Sequence, residues 1–295
     1  MSTEYDDLFS SSWMSDRKDL WVTEQRENRT KIFEWLENML GTVGKDTLLF
    51  RQYLDIQAKF IQYSTRNTLL ILKQFPQAER LGDSVYWRNH KAYIKRQDRN
   101  HPILILEPGP EYTREDNSVG TYYNVKKVYD VTQTTFQGKE IPKGEISDRM
   151  KLQALIQSSV VPVRAVEKLP DDRQAYYDPL EQEITIMRGM SATKIFHSLS
   201  CELAHVELEQ MGLSEEDRVL TAYCAAYILC VRYGFDTSVY DFAVVPAYFE
   251  DMETRQIAKE LGRMRDAAWK IAGRVDQNLE VQKVKANNEW NRQER

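Results

Sequence analysis

Cysteine, glycine and proline are all scarce in this 295-residue chain, at 3, 12 and 9 residues. Cys201, Cys224 and Cys230 form an odd set without a C-x-x-C pair, which excludes a disulfide framework and a zinc ribbon. So few Gly and Pro exclude collagen-like and linker-rich architectures, and no fixed-period repeat is present. Long hydrophobic runs are missing too. The longest, such as Leu69–Leu72 and Ile103–Leu106, fall far short of the roughly 20 residues that span a bilayer, so no membrane partner is expected. Nor is there a net positive charge: 40 Lys+Arg stand against 45 Asp+Glu, giving −5, and any nucleic-acid contact must use a local patch. The opening residues Met1 to Asp7 are acidic where a secretory leader is basic, and no apolar stretch follows them, so the expected location is the cytoplasm.

What is present reads as a globular α+β protein, with 42% hydrophobic and 29% charged residues and a generous 16 Tyr and 6 Trp. Residues 1–28 are polar and unpatterned and read as a flexible arm. Arg29 to Met39 carries a helical stripe at Ile32, Phe33, Trp35 and Leu36 that Gly41 to Gly44 should end. The period of about 3.5 at Leu49, Tyr53, Ile56, Phe60 and Tyr63 predicts two helices over 46–74 with a turn near Ser64-Thr65. Ser84–Trp87, Ala92–Lys95, Ile103–Glu107 and Tyr122–Tyr129 read as strands of a small antiparallel sheet. A polar stretch with Pro142 and Gly144 marks a boundary near 140. Beyond it, a helix over 151–158, extended segments at 160–166 and 183–187 and a turn at Tyr177-Asp178-Pro179 lead to three long helices. The first is capped by Ser191, the second is ended by Gly234 and the third spans 252–275. Residues 276–295 form a polar tail.

Chemistry-bearing residues concentrate in two places. In the first helix after the strand at 183–187, Cys201-Glu202-Leu203-Ala204-His205 has the H-E-x-x-H spacing with Cys at the first position. Positions i and i+4 share a helix face, so Cys201 and His205 are candidate zinc ligands and Glu202 the candidate base that polarises a zinc-bound water. No carboxylate stands in the next helix around Thr221 to Tyr227, so a third ligand is missing. That deficit favours the simpler reading of buried helix residues with a hydrogen-bonded His205. Glu202 to Asp217 holds six acidic residues and no Lys or Arg, which reads as a solvated face.

The second place lies between Lys59 and Glu107, where nine Lys/Arg face four Asp/Glu. Its densest part, read as a hairpin, interleaves Trp87, Arg88, Lys91, Tyr93, Lys95 and Arg96. Cations track phosphates while rings stack bases, so this pattern suits a single-stranded nucleic acid. Upstream, Tyr63, Ser64, Arg66 and Asn67 add polar groups at a helix break. A soluble hairpin with Trp87 and Tyr93 in the core explains the composition equally well.

Taken together, these residues resemble the ArdC-type antirestriction proteins of plasmids and other mobile elements. The likeness runs from about Ile32 to about Ile271. It rests first on Tyr63-Ser64 with Asn67, Gln74-Phe75-Pro76-Gln77-Ala78, Trp87, Ile103 to Pro108, and Val128 to Thr134. In the second half it rests on Tyr176-Tyr177, Ile184-Thr185-Ile186, Cys201 to His205, Ala226-Tyr227, and Tyr233 to Ser238. The resemblance implies a single-stranded-DNA-binding domain over 29–140, with helices on a small antiparallel sheet. It further implies a mostly helical, zincin-like metallopeptidase domain with a short sheet over 141–275. The role implied is protection of incoming DNA from host defence. Two ligand positions of that family are altered here, the first His to Cys201 and the Glu of the second helix to Tyr223. The resemblance therefore predicts a peptidase-like domain that does not cut, no cofactor with zinc the one candidate, and single-stranded DNA as partner. Two other readings stay open: an active zinc peptidase using Cys201 and His205, and an acidic module that inhibits a host defence protein through the Glu202 to Asp217 face.

Overall fold

The computed structural model describes residues 12–113, 117–138 and 146–293. Its elements run α1 (Ser12–Val43), α2 (Thr47–Lys59), α3 (Thr65–Gln74), β1 (Leu81–Gly82), α4 (Ser84–Asn89), β2 (Ile103–Thr113), β3 (Val119–Asp130), α5 (Asp148–Gln157) and β4 (Val163–Val166). They continue with β5 (Ala175–Asp178), β6 (Glu183–Met187), α6 (Ala192–Gln210), α7 (Glu215–Tyr233), α8 (Val245–Phe249) and α9 (Thr254–Gln293). The α+β class expected from the sequence is the observed one. Two compact units divide the chain: residues up to Met39 with Leu69–Phe136, and Leu40–Thr68 with residues from Gln137 on. Segment 40–68, which the sequence reading assigns to the 29–140 domain, thus falls in the second unit. The arm expected at 1–28 is helical from Ser12, and residues 1–11 lie outside the described residues. Helix α1 also runs on through Gly41, past the break expected there.

In the first unit the sheet order is β1-β3-β2, all antiparallel. Ile103, Leu104, Ile105 and Leu106 are all buried, so this strand start is covered on both faces rather than alternating. The expected strand at Ser84–Trp87 is helix α4 instead. Asp83, extended and just outside the helix, accepts the Tyr86 N–H at 2.7 Å as an N-cap, and this local cap outweighs the β-propensity of Val85, Tyr86 and Trp87. Gly82 lets Tyr86 fold back, because a Cβ there would meet that ring at 2.0 Å. The expected strand at Ala92–Lys95 reduces to a bridge between Ile94 and Thr134. Asp130 locks the end of β3: its carboxylate accepts the N–H groups of Glu79, Arg80 and Thr132, and it forms a capping box with Gln133.

In the second unit β6 pairs parallel with β4 and antiparallel with β5, so β5 and β4 are the edges. The turn expected at Tyr177-Asp178 is thus the end of strand β5. Ser191 caps α6 through the Lys194 N–H, and Gly234, at φ 74, ends α7 in the left-handed conformation, as expected. Ala222, Cys224, Ala225, Ala226, Ile228, Leu229 and Cys230 of α7 are buried, which makes this helix the spine of the unit, packed on α2, α6 and α9. Glu207 of α6, 2% exposed at its side chain, meets Arg274 of α9 at 2.6 Å and Lys270 at 3.6 Å.

Candidate functional site

The cationic segment of the first unit is not a self-paired hairpin. After α4, Lys91 turns in the left-handed region at φ 58, the Ala92 N–H returns to the Trp87 carbonyl, and a 3₁₀ turn follows over Arg96–Asp98. The stretch is held from 133–135 instead, by Lys95 N–H to Gln133 O at 2.9 Å and Thr135 N–H to Tyr93 O at 2.9 Å. Arg88, Lys91, Lys95, Arg96 and Arg99 are exposed, and Tyr93 is 66% exposed. Trp87 is not a stacking residue. It is fully buried with Ala92 and Tyr129, and its indole N–H donates to the Tyr129 carbonyl at 3.0 Å, satisfying its polar atom inside the core.

The upstream cluster belongs to the second unit. The Ser64 carbonyl accepts the Thr68 N–H at 2.9 Å and its hydroxyl the Asn67 N–H at 3.4 Å, so Ser64 starts helix α3. Asn67 is buried, Arg66 is exposed and Tyr63 is half-buried, with its carbonyl accepting from Gln57. The two groups that the sequence reading joined as one interface are therefore divided between the units. In the first unit, a concave site of about 630 Å³ was not singled out from the sequence. It is lined by Lys31 and Trp35 of α1, Lys73 of α3, Arg99 and Lys127. Its only sequence signal is the i, i+4 spacing of Lys31 and Trp35.

In the second unit, Cys201, Glu202 and His205 do line one pocket, of about 430 Å³, together with Arg173, Tyr177, Glu215 and Arg218. Burial pushes the Cys201 thiol up and the Glu202 carboxyl up. Burial and the Arg218 charge push the His205 imidazole down to about 4. Each group is thus biased to its uncharged form. The Glu202 carboxylate accepts the Tyr177 N–H of β5 at 2.9 Å. Arg218 donates to the His205 carbonyl at 3.3 Å and pairs with Glu209 at 3.3 Å.

These donors do not fit a metal. Among the described residues, no group of three His, Cys, Asp or Glu is placed to hold an ion. Tyr223, which the sequence resemblance sets against a third ligand, accepts the Asp241 N–H at 2.8 Å and packs against the rings of Tyr240 and Phe242. A guanidinium beside His205 adds like-charge repulsion against any cation. The acidic stretch is not one solvated face either. Glu202 is bound by β5, Glu207 is buried against Arg274, and Glu209 accepts from Tyr177 and pairs with Arg218.

No family model matches this chain. It is 23% identical over 297 residues to an uncharacterized protein, pXO2-81, of Bacillus anthracis, a match covering 81% of this chain and 50% of the relative. The chain thus spans about half the length of the curated relative it matches. Among the described residues, no helix is long and apolar enough to cross a membrane. Structural neighbours include the metal-free and Mn(II)-bound crystal structures of the Antirestriction ArdC protein from R388 plasmid, at 16% identity and a TM-score of 0.48 over 74% of this chain and 85% of theirs.

Proposed function

We propose that this chain binds single-stranded DNA through the cationic surface of its first unit and acts in antirestriction, shielding incoming DNA of a mobile element from host defence in the cytoplasm. The observation that carries the reading is the exposure of Arg88, Lys91, Lys95, Arg96 and Arg99 around an outward Tyr93, within a chain whose net charge is −5. Such a segment supplies phosphate neutralisation and a stacking ring without a whole-protein field. The antirestriction role is carried over from the motif series running from Tyr63 to Thr134, and extends to this chain the activity named for the R388 plasmid protein. The pocket at Cys201 and His205 is proteolytically silent in this reading, because its candidate base and its third-ligand position are both engaged by backbone N–H groups.

A fluorescence titration with a labelled oligothymidylate at two salt concentrations tests the proposal. The strand should bind more tightly than the corresponding duplex, and log affinity should fall with log salt at about 0.7 per contacted phosphate. Lys91→Glu with Lys95→Glu should weaken binding about tenfold or more and flatten the salt slope by about 1.4. Absence of binding at low salt, or an affinity untouched by the double reversal, refutes it.

A further inference from the structure

The concave site of about 630 Å³ in the first unit lies within the range of pockets that hold small organic ligands. One wall is a face of α1 on which Glu24, Asn28, Lys31 and Trp35 recur at spacings of four, three and four residues. The Lys31 ammonium sits 4.8 Å from the Trp35 ring centroid, so cation and π surface are offered at one spot. Lys73 at the end of α3, and Arg99 directly after the exposed 3₁₀ turn, supply two more exposed cations. Among the described residues neither is held in an ion pair, whereas Lys127 is tied to Glu24 at 2.7 Å. The opposite wall, residues 98–104, is pinned by two side-chain amides. Gln74 both donates to the Leu104 carbonyl and accepts its N–H, each at 2.9 Å, and Gln133 donates to the His101 carbonyl at 2.9 Å. A loop fixed in this way loses little entropy when a ligand seats against it.

We infer that this cleft seats one nucleotide of a single-stranded nucleic acid, its phosphate on Lys73 and Arg99 and its base against Trp35 beside Lys31. The inference rests on the reading that the first unit binds single strands, and it deepens that reading. Lys91 to Arg96 track the backbone of the strand, while the cleft takes a base out of it. The two kinds of contact separate in salt, because ring stacking releases no counterions whereas phosphate neutralisation does.

The test is a titration of labelled oligothymidylate with the full chain and four variants, three in the cleft and the Lys91→Glu with Lys95→Glu double reversal, each first checked for an unchanged thermal melt. Lys73→Glu with Arg99→Glu should weaken binding about tenfold or more and lower the salt slope by about 1.4. Trp35→Leu should weaken binding about fivefold or more with its slope retained, and Trp35→Phe, which keeps a ring and most of the packing, should recover most of the loss. A strand carrying bromodeoxyuridine should photocross-link to the peptide that contains Trp35. If Lys91→Glu with Lys95→Glu weakens binding while the cleft variants match wild type, the inference is overturned and the proposed function stands. If wild type binds no strand, both fall. If thymidine monophosphate alone binds as tightly as the strand, the cleft is a free-nucleotide site and the assignment to a strand is overturned.

Discussion

The cationic segment of the first unit and the pocket of the second handle charge in opposite ways. Arg88, Lys91, Arg96 and Arg99, and Lys95 whose ammonium also donates to the Thr132 carbonyl at 2.7 Å, are exposed on a short frame held by backbone hydrogen bonds, where a charge keeps its hydration and stays available to a partner. Cys201, Glu202 and His205 line a concave pocket in which β5 binds the Glu202 carboxylate and Arg218 of α7 binds the His205 carbonyl, and burial biases each of the three side chains toward its neutral form. A motif of the right residue types is therefore weaker grounds for chemistry than the state of the partners around it. The exposed segment has little structure of its own to defend and is free to bind. In the pocket, Glu202 is already bound, and the residues that bind it and flank His205 come from separate elements.

The largest effect that separates the two regions concerns Glu207. Its buried carboxylate faces Arg274 and Lys270, and Arg274 also donates to the Ser158 carbonyl at 2.7 Å. Glu207→Ala removes the one anion of this group and should cost about 3 kcal/mol in urea denaturation, while strand affinity at a temperature where the variant is folded stays at the wild-type value. A loss below about 1 kcal/mol would mean that the ion pair is a surface-like contact and that charge in the second unit is not held by burial.

An aromatic pair sharpens the comparison at a smaller scale. Trp87→Phe should destabilise by about 2 kcal/mol, through the lost hydrogen bond to Tyr129 and a small void, and leave strand affinity alone. Tyr93→Ala should do the reverse, weakening strand binding by about 1–3 kcal/mol with stability within about 0.5 kcal/mol of wild type. Both quantities come from one melt and one titration per variant, and an exchange of the two outcomes would invert the assignment of which ring is core and which is contact.

Much of the fold was legible because its signals are local. Ser191 and Gly234 bound α6 and α7 through their own side-chain or backbone chemistry, and the nine-to-four excess of cations between Lys59 and Glu107 needs no structure to be counted. Misreadings arose where two local signals compete. Val85, Tyr86 and Trp87 favour a strand, but Asp83 caps a helix over the same residues, and the cap won. The end of strand β5 reads as a turn in the sequence because it closes at Asp178, whose side chain accepts the Leu180 N–H in an Asx turn. Helical spacing places Cys201, Glu202 and His205 near one another, and all three line one pocket. No periodicity could bring in the Tyr177 N–H or the Arg218 guanidinium, since each is set by packing between separate elements. The cleft at Trp35 was illegible for the same reason: four segments build it, and its ring stood in a stripe that reads as core.

The smallest expected effect belongs to Glu202, and its sign carries the argument. In the family that the sequence resembles, this residue is the base beside a metal, so its neutralisation and the removal of divalent cations ought to matter greatly. Here burial raises its carboxyl above the ordinary value of 4.5, which means that the folded state binds the proton better than the unfolded chain. The stability linked to that proton is fully present below the unfolded value and is lost as pH rises through the folded value, so at neutral pH the ionised carboxylate is a small burden that the Tyr177 N–H offsets. Glu202→Gln keeps a carbonyl oxygen to accept that N–H and removes the charge. It should therefore be as stable as wild type or up to about 0.5 kcal/mol more stable at neutral pH, with the difference closing as the solution is acidified, and a chelator should shift neither melt. A variant that is clearly less stable at neutral pH, or a wild-type melting temperature that falls on chelation, would show that Glu202 supports a bound cation after all and that the two regions differ less than their side-chain partners indicate.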